Sequence, residues 1–313
     1  AKEDILATEN NITLQVTQAY LQILQAKEEV TYFNSLVETA TAQTQQAELK
    51  FKAGRMARAD VAQLQAQLAN DQYNFVSATN AHEQSTFNLK CLLQLAPTTD
   101  FQVATPDTLH LIEDSTPFTI IGAEAIMQRP EVKSSELTKQ AASFQLLKAR
   151  AGRKPVLTLN TNIASDYSNN LPKGYSQQID KNIYERVGLT LSLPILNNRT
   201  VKTNIAKSEI AIEQADVNLL NTQTVLRQEV EQADINRANS KSQLQAAEKQ
   251  LAANEESYRL SQEQLNLGAI TATDFLVQKN LYVQAMQTYL QAKYNALIAV
   301  QVYRFYKGDS IEL

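Results

Sequence analysis

All seven prolines of this chain lie between Pro97 and Pro194, and the stretches 1–96 and 195–313 contain none. The only glycines in those flanks are Gly54, Gly268 and, near the C-terminus, Gly308. Proline costs about 3 kcal/mol inside a helix and glycine about 1. Each flank therefore reads as two long helices joined at its single internal glycine. At ~1.5 Å per residue the arm Ala1 to Ala53 would span about 80 Å, and the arm from Asn198 to Leu267 about 105 Å. Such helices exceed a globular core and must bury apolar stripes against one another.

The two flanks repeat each other. Gly54 and Gly268 are 214 residues apart, and so are Asp60 and Asp274. At the same offset Thr8 meets Thr222, Val16 meets Val230 and Lys27 meets Lys241. Few identities survive, but a heptad register does. In the first arm it runs Val16, Ile23, Val30, Val37, Thr44, Phe51, with Ala19, Ala26, Phe33, Ala40 and Ala47 as companions. In the second it runs Val230, Arg237, Leu244, Leu251, Tyr258, Leu265, and Arg237 is the one clear breach. The return helices match as well, with Val61, Leu68, Phe75, His82 and Leu89 against Phe275, Tyr282, Tyr289, Ala296 and Tyr303. The pattern predicts a mainly α fold of duplicated, antiparallel, coiled-coil hairpins over 1–96 and 197–313. A soluble coiled-coil rod is one reading of that pattern alone.

The proline-bearing middle divides in two. Over 97–154 we expect a side segment and a helix. Its first part, 97–129, is mixed, with apolar runs at Leu109–Ile112 and Phe118–Ile121, and reads as compact and partly helical. A helix follows Pro130, with Leu137, Ala141, Phe144, Leu147 and Ala151 as its stripe and Gly152 and Pro155 as its stop. Over 155–196 two segments alternate. Leu157, Leu159, Thr161 and Ile163 share one face of the first; Val187, Leu189, Leu191 and Leu193 share one face of the second. Period two with one apolar face signals a strand pair, joined here by a polar loop, Asp166–Glu185. The pair is either a sheet edge in a side domain or part of a membrane barrel with its leucines toward lipid.

Composition narrows the function classes. Seven glycines and seven prolines are too few for an all-β fold or for glycine-rich phosphate loops. A net charge of −4 gives no footing for a nucleic acid partner. The single cysteine, Cys91, excludes an internal disulfide and a multi-cysteine metal site; it reads as a buried free thiol. His82 and His110 stand alone, His82 as a packing position on the stripe. No Ser/His/Asp set, paired-carboxylate cleft or phosphate loop stands out, so we expect no enzyme, no cofactor and no metal. No run approaches the ~18 apolar residues of a membrane-spanning helix.

With these parts in order, the chain resembles the TolC-type outer-membrane efflux proteins. The resemblance spans essentially the whole sequence. It rests on the duplicated hairpins, Gln128-Arg129-Pro130-Glu131-Val132, the run Lys148-Ala149-Arg150 leading to Pro155, and Leu191-Ser192-Leu193-Pro194-Ile195-Leu196. The turns Phe51-Lys52-Ala53-Gly54 and Leu265-Asn266-Leu267-Gly268, each followed six residues later by Asp, are also similar. The resemblance implies a passive export conduit in the outer membrane of a Gram-negative bacterium, with a long periplasmic portion. It implies a homotrimer whose subunits each give strands to one β-barrel and helices to an α-barrel. The implied partners are a periplasmic adaptor (membrane fusion) protein, an inner-membrane pump and outer-membrane lipid. Family members carry a further strand hairpin ahead of the first arm, so the chain is expected to be a fragment.

The resemblance also assigns residues. Leu157, Leu159, Val187, Leu189 and Leu191 would face lipid. Gly54, Gly268, Asp60 and Asp274 would form the tips that close the periplasmic mouth. Asp274, in Thr271-Ala272-Thr273-Asp274, has capping-box spacing, so a helix cap and a cation gate are both open to it. Arg55, Met56 and Arg58 on one tip, with Ala269, Ile270 and Thr271 on the other, would dock the adaptor. The competing class is a periplasmic adaptor or structural coiled-coil protein. Adaptors normally carry one hairpin flanked by glycine-rich β-domains, against the two hairpins and seven glycines found here.

Overall fold

The structure, a computed structural model, describes residues 1–96, 99, 101–105 and 126–308. In chain order the elements are α1 (Lys2–Lys52), α2 (Arg58–Leu92), α3 (Pro130–Ala151), β1 (Val156–Ser165), α4 (Tyr175–Lys181), β2 (Ile183–Ser192), α5 (Thr200–Leu267) and α6 (Ala272–Lys307). They fall into two units, residues 1–130 with 224–313, and residues 131–223. The apolar runs Leu109–Ile112 and Phe118–Ile121, and His110, lie outside the described residues.

In the first unit α1 with α2, and the later part of α5 with α6, form hairpins that each reverse at a glycine. The stripes meet at successive levels. Next to the turns, Ala47, Val61, Leu64, Ala272 and Phe275 form one core, with Met56, Tyr258, Leu265 and Ile270 packed on it. Further along, Phe33, Leu36 and Ala78 join α1 to α2. Leu244, Ala247, Ala292 and Ala296 join α5 to α6, and Leu21, Leu24, Tyr294 and Leu297 join α1 to α6. Helix α6 is thus packed by all three other helices. Its small companions Ala285, Ala292 and Ala299 are buried, which lets the neighbouring helices approach closely.

Arg237, the breach in the heptad register, is accommodated by its neighbours. Its guanidinium lies 4.6 Å from the centre of the Tyr303 ring and donates twice to Asp234 Oδ1, at 3.1 and 2.6 Å. The charge is paired and stacked rather than set into an apolar seam. Arg129 is held similarly, 4.5 Å above the Phe305 ring. Cys91 departs from expectation: it is exposed. Leu89 takes the buried position at 3% exposure, and two residues further on a helix has turned about 200° away.

In the second unit α3 runs antiparallel to the start of α5. Ser135 and Thr222 hydroxyls are 3.2 Å apart, Lys139 donates to Asp216 at 2.5 Å, and Arg150 lies 3.4 Å from Glu209. The sheet has two antiparallel strands. The strand pair differs from the sequence reading at three points, the first being that β2 begins at Ile183, inside the expected loop. Strand β2 ends at Ser192, leaving Leu193 outside it. The expected loop is partly ordered, because α4 fills residues Tyr175–Lys181. Gln178 is the reason. Its side chain is 1% exposed, accepts from Ser168 N at 2.9 Å and donates to the carbonyls of Ser168 and Lys173. One buried amide thereby satisfies three backbone groups of the connection.

Candidate functional site

The two turns are built alike. Gly54 and Gly268 have φ of 70° and 73°. At the first, Arg55 N donates to Lys50 O at 2.9 Å and Gly54 N to Phe51 O at 2.9 Å. At the second, Ala269 N donates to Gln264 O at 2.8 Å and Gly268 N to Leu265 O at 3.1 Å. These bonds satisfy the last helical carbonyls in a Schellman arrangement, which requires a left-handed residue at the glycine.

Beyond the turns the two tips diverge. Thr271 Oγ1 accepts from Asp274 N at 3.2 Å and donates to Asp274 Oδ2 at 2.7 Å, and Thr271 N donates back to the same carboxylate at 3.4 Å. Helix α6 therefore starts with a complete capping box. At the start of α2 the corresponding residue is Ala57, which offers no side-chain cap, and Asp60 stands in the first turn without that partner. Both carboxylates sit where the helix dipole favours negative charge.

The expected docking residues also separate. Arg55, Arg58, Ala269 and Thr271 are exposed. Met56 and Ile270 are instead partly buried against the core beside the turns, so they hold the tips together. Two bonds tie one tip to the other: Thr273 Oγ1 to Gln63 Oε1 at 3.0 Å, and Lys50 Nζ to Asn266 O at 3.4 Å.

Above that core lies a polar layer that sequence reasoning missed. Lys279 Nζ donates to Asp71 Oδ2 at 2.5 Å, and Gln67 donates to the other Asp71 oxygen at 2.9 Å. Nearby, Tyr258 and Tyr282 stack with ring centres 5.1 Å apart. Burial, with Tyr282, Tyr258 and Asp71 adding to it, pushes the Tyr32 hydroxyl well above the usual phenol range. Asp71 and Lys279 lie 208 residues apart, and no local pattern links them.

On the strand pair the register sets Leu157 opposite Leu191, Leu159 opposite Leu189, and Val187 opposite Thr161. All five expected lipid-facing residues thus stand on one face, each 63–72% exposed. The other face carries Thr158 opposite Thr190 and Asn160 opposite Gly188. A two-stranded ribbon with an exposed leucine face is marginal in water. Among the described residues no three His, Cys, Asp or Glu side chains gather as a metal site, and no helix is long and apolar enough to cross a membrane.

Comparison with known proteins gives a consistent answer. The family model described as outer membrane efflux protein matches residues 122–305. The outer membrane protein TolC of Escherichia coli (strain K12) is 24% identical over 303 residues, covering 93% of this chain and 60% of that protein. The probable efflux pump outer membrane protein TtgC of Pseudomonas putida is 26% identical over 164 residues, covering 51% of this chain and 32% of that protein. This chain therefore spans 60% or less of these two relatives. The crystal structure of the Campylobacter jejuni CmeC outer membrane channel superposes with a TM-score of 0.83 at 19% identity, covering 99% of this chain and 65% of that one. That likeness carries the fold: paired long hairpins and an antiparallel strand pair. With the family matched across more than half its length, the chain belongs to the outer membrane efflux protein family.

Proposed function

We propose that this chain serves in a subunit of a passive export conduit in the outer membrane of a Gram-negative bacterium. Three copies assemble. The strand pair joins strands of the other copies in one barrel, its leucines toward lipid and its Thr/Asn face toward an aqueous lumen. The paired hairpins form a helical tunnel in the periplasm. Their tips close the tunnel mouth and dock a periplasmic adaptor, which couples it to an inner-membrane pump. The conduit needs no cofactor and performs no catalysis; it supplies a path.

The observation that carries this reading is the strand pair. Its four paired leucines are exposed on one face, with a Thr/Asn face behind them. A barrel wall between lipid and water uses that distribution, whereas a soluble sheet buries its leucines. Family membership supports the same reading over a periplasmic adaptor or structural rod. The test is imaging of the protein expressed from its complete coding sequence in detergent. A trimeric cylinder is expected in negative stain, and a monomeric rod would overturn the proposal.

A further inference from the structure

Hairpins packed through heptads face a degeneracy: a stripe repeating every seven residues is presented again after a slip of seven. In α6 Phe275, Tyr282 and Tyr289 follow one another at that spacing, and in α2 Val61, Leu68 and Phe75 do. Apolar burial is non-directional and discriminates weakly between such registers. Asp71 and Lys279 discriminate strongly. They are the only charged residues among the described ones that are buried, at 1% and 0% exposure, and they join α2 of the first hairpin to α6 of the second.

Slipping α6 by seven residues in one direction sets Lys279 against Ala78 and Asp71 against Ala272. Slipping it in the other sets Lys279 against Leu64 and Asp71 against Met286. Ala78, Ala272 and Leu64 are themselves buried. Either slip leaves an ammonium and a carboxylate both buried and unpaired, which is the costly outcome. The native pair, by contrast, gains little over an apolar pair of the same size. Stability alone therefore does not account for a buried ion pair here, whereas position does. We propose that Asp71–Lys279 is the pin that sets the axial register of the second hairpin on the first. The two tips, with Gly54 and Gly268, are thereby kept level. At this layer the second hairpin pivots about the pair and does not slide.

The test reads register by thiol capture in the full-length protein carrying Cys91→Ser. Gln63→Cys with Thr273→Cys reports the native register, since those side chains touch at 3.0 Å. Asn70→Cys with Thr273→Cys, and Gln63→Cys with Asn280→Cys, report the two slips; all four positions are exposed. A short bifunctional thiol reagent captures each pair. With the ion pair present, native capture is expected to exceed either slipped capture by about tenfold or more. Asp71→Asn with Lys279→Gln keeps size and shape and should lower that ratio severalfold. Asp71→Leu with Lys279→Met should bring it near parity, and the exchanged pair Asp71→Lys with Lys279→Asp should restore it. An unchanged ratio in the amide variant overturns the proposal, and that variant decides the matter even if the apolar one does not fold. An exchanged pair that slips as freely as the amide variant overturns it as well.

Discussion

A Cβ at Gly54 or Gly268 would meet nothing within 4 Å, so these positions require glycine for φ and not for space. Valine at either should cost about 1–2 kcal/mol or more, because a branched side chain resists the left-handed region, while asparagine tolerates it. Gly54→Val and Gly268→Val should thus weaken the proposed adaptor binding and export with the proposed trimer intact, and Gly54→Asn should not. Pull-down with the adaptor and size-exclusion of the trimer check both halves. The caps offer a paired prediction. Ala57, at φ −75° and ψ 149°, has the backbone of Thr271 at φ −78° and ψ 160°, with Asp60 in the place of Asp274. Thr271→Ala should lose about 1 kcal/mol and Ala57→Thr should gain a similar amount. Amide exchange in the first turn should speed up roughly fivefold in α6 for the one and slow in α2 for the other. For the proposed gate, Asp274→Asn keeps size and some capping but removes charge. Three such carboxylates converging on an axis would favour cations, so the variant should show weaker cation selectivity in single-channel recordings. Unchanged selectivity would leave Asp274 as a cap alone.

Between the two faces of the strand pair the elements themselves predict an asymmetry. Leu189 stands opposite Leu159 on the apolar face, and Thr190 stands opposite Thr158 on the other. Arginine on a lipid face costs about 2–4 kcal/mol near the bilayer centre, and far less on a lumen face. Leu189→Arg should therefore impair assembly into the outer membrane, while Thr190→Arg should be tolerated. Heat-resistant trimer recovered from membranes measures it, and equal yields would refute the facing assignment. The helical elements show the complementary economy of pattern. Of the companions in the first arm, Ala26, Phe33, Ala40 and Ala47 are buried and Ala19 is half-buried, and the alternation of one aromatic with several alanines matches closely packed helices.

At the scale of the whole molecule, a further apolar face stands exposed on α3. Leu137, Phe144 and Leu147, the stripe that follows Pro130, are 53%, 67% and 58% exposed, although the helix forms as the sequence predicts. A contiguous exposed stripe marks an interaction face, and a neighbouring copy in the proposed trimer would cover it. Phe144→Glu should lower the trimer fraction seen by light scattering with helix content unchanged. An undiminished trimer would remove that face from the subunit interface.

Several features were legible from residues alone because their causes are local. Proline and glycine penalties act at one position, which is why the long helices, their two reversals and the stop after Ala151 could be placed without coordinates. Heptad spacing and strand alternation act over a few residues, and they marked the leucine face of the strand pair and most of the packed face of the arms, Phe51 at 39% exposure being the exception. The capping box of α6 was equally local. What tertiary structure alone decided involves groups brought together from a distance. Arg237 breaks the register in sequence, yet Tyr303 and Asp234 receive it in space. Met56 and Ile270 look like surface residues of a turn but pack, half-buried, on a core. Gln178 is one glutamine among many until three backbone groups converge on it. The pairing of Asp71 with Lys279 is the clearest case: the physics of a buried charge demands a partner, but residue type does not say that it lies 208 positions away. Only the packing of α6 against α2 makes that choice.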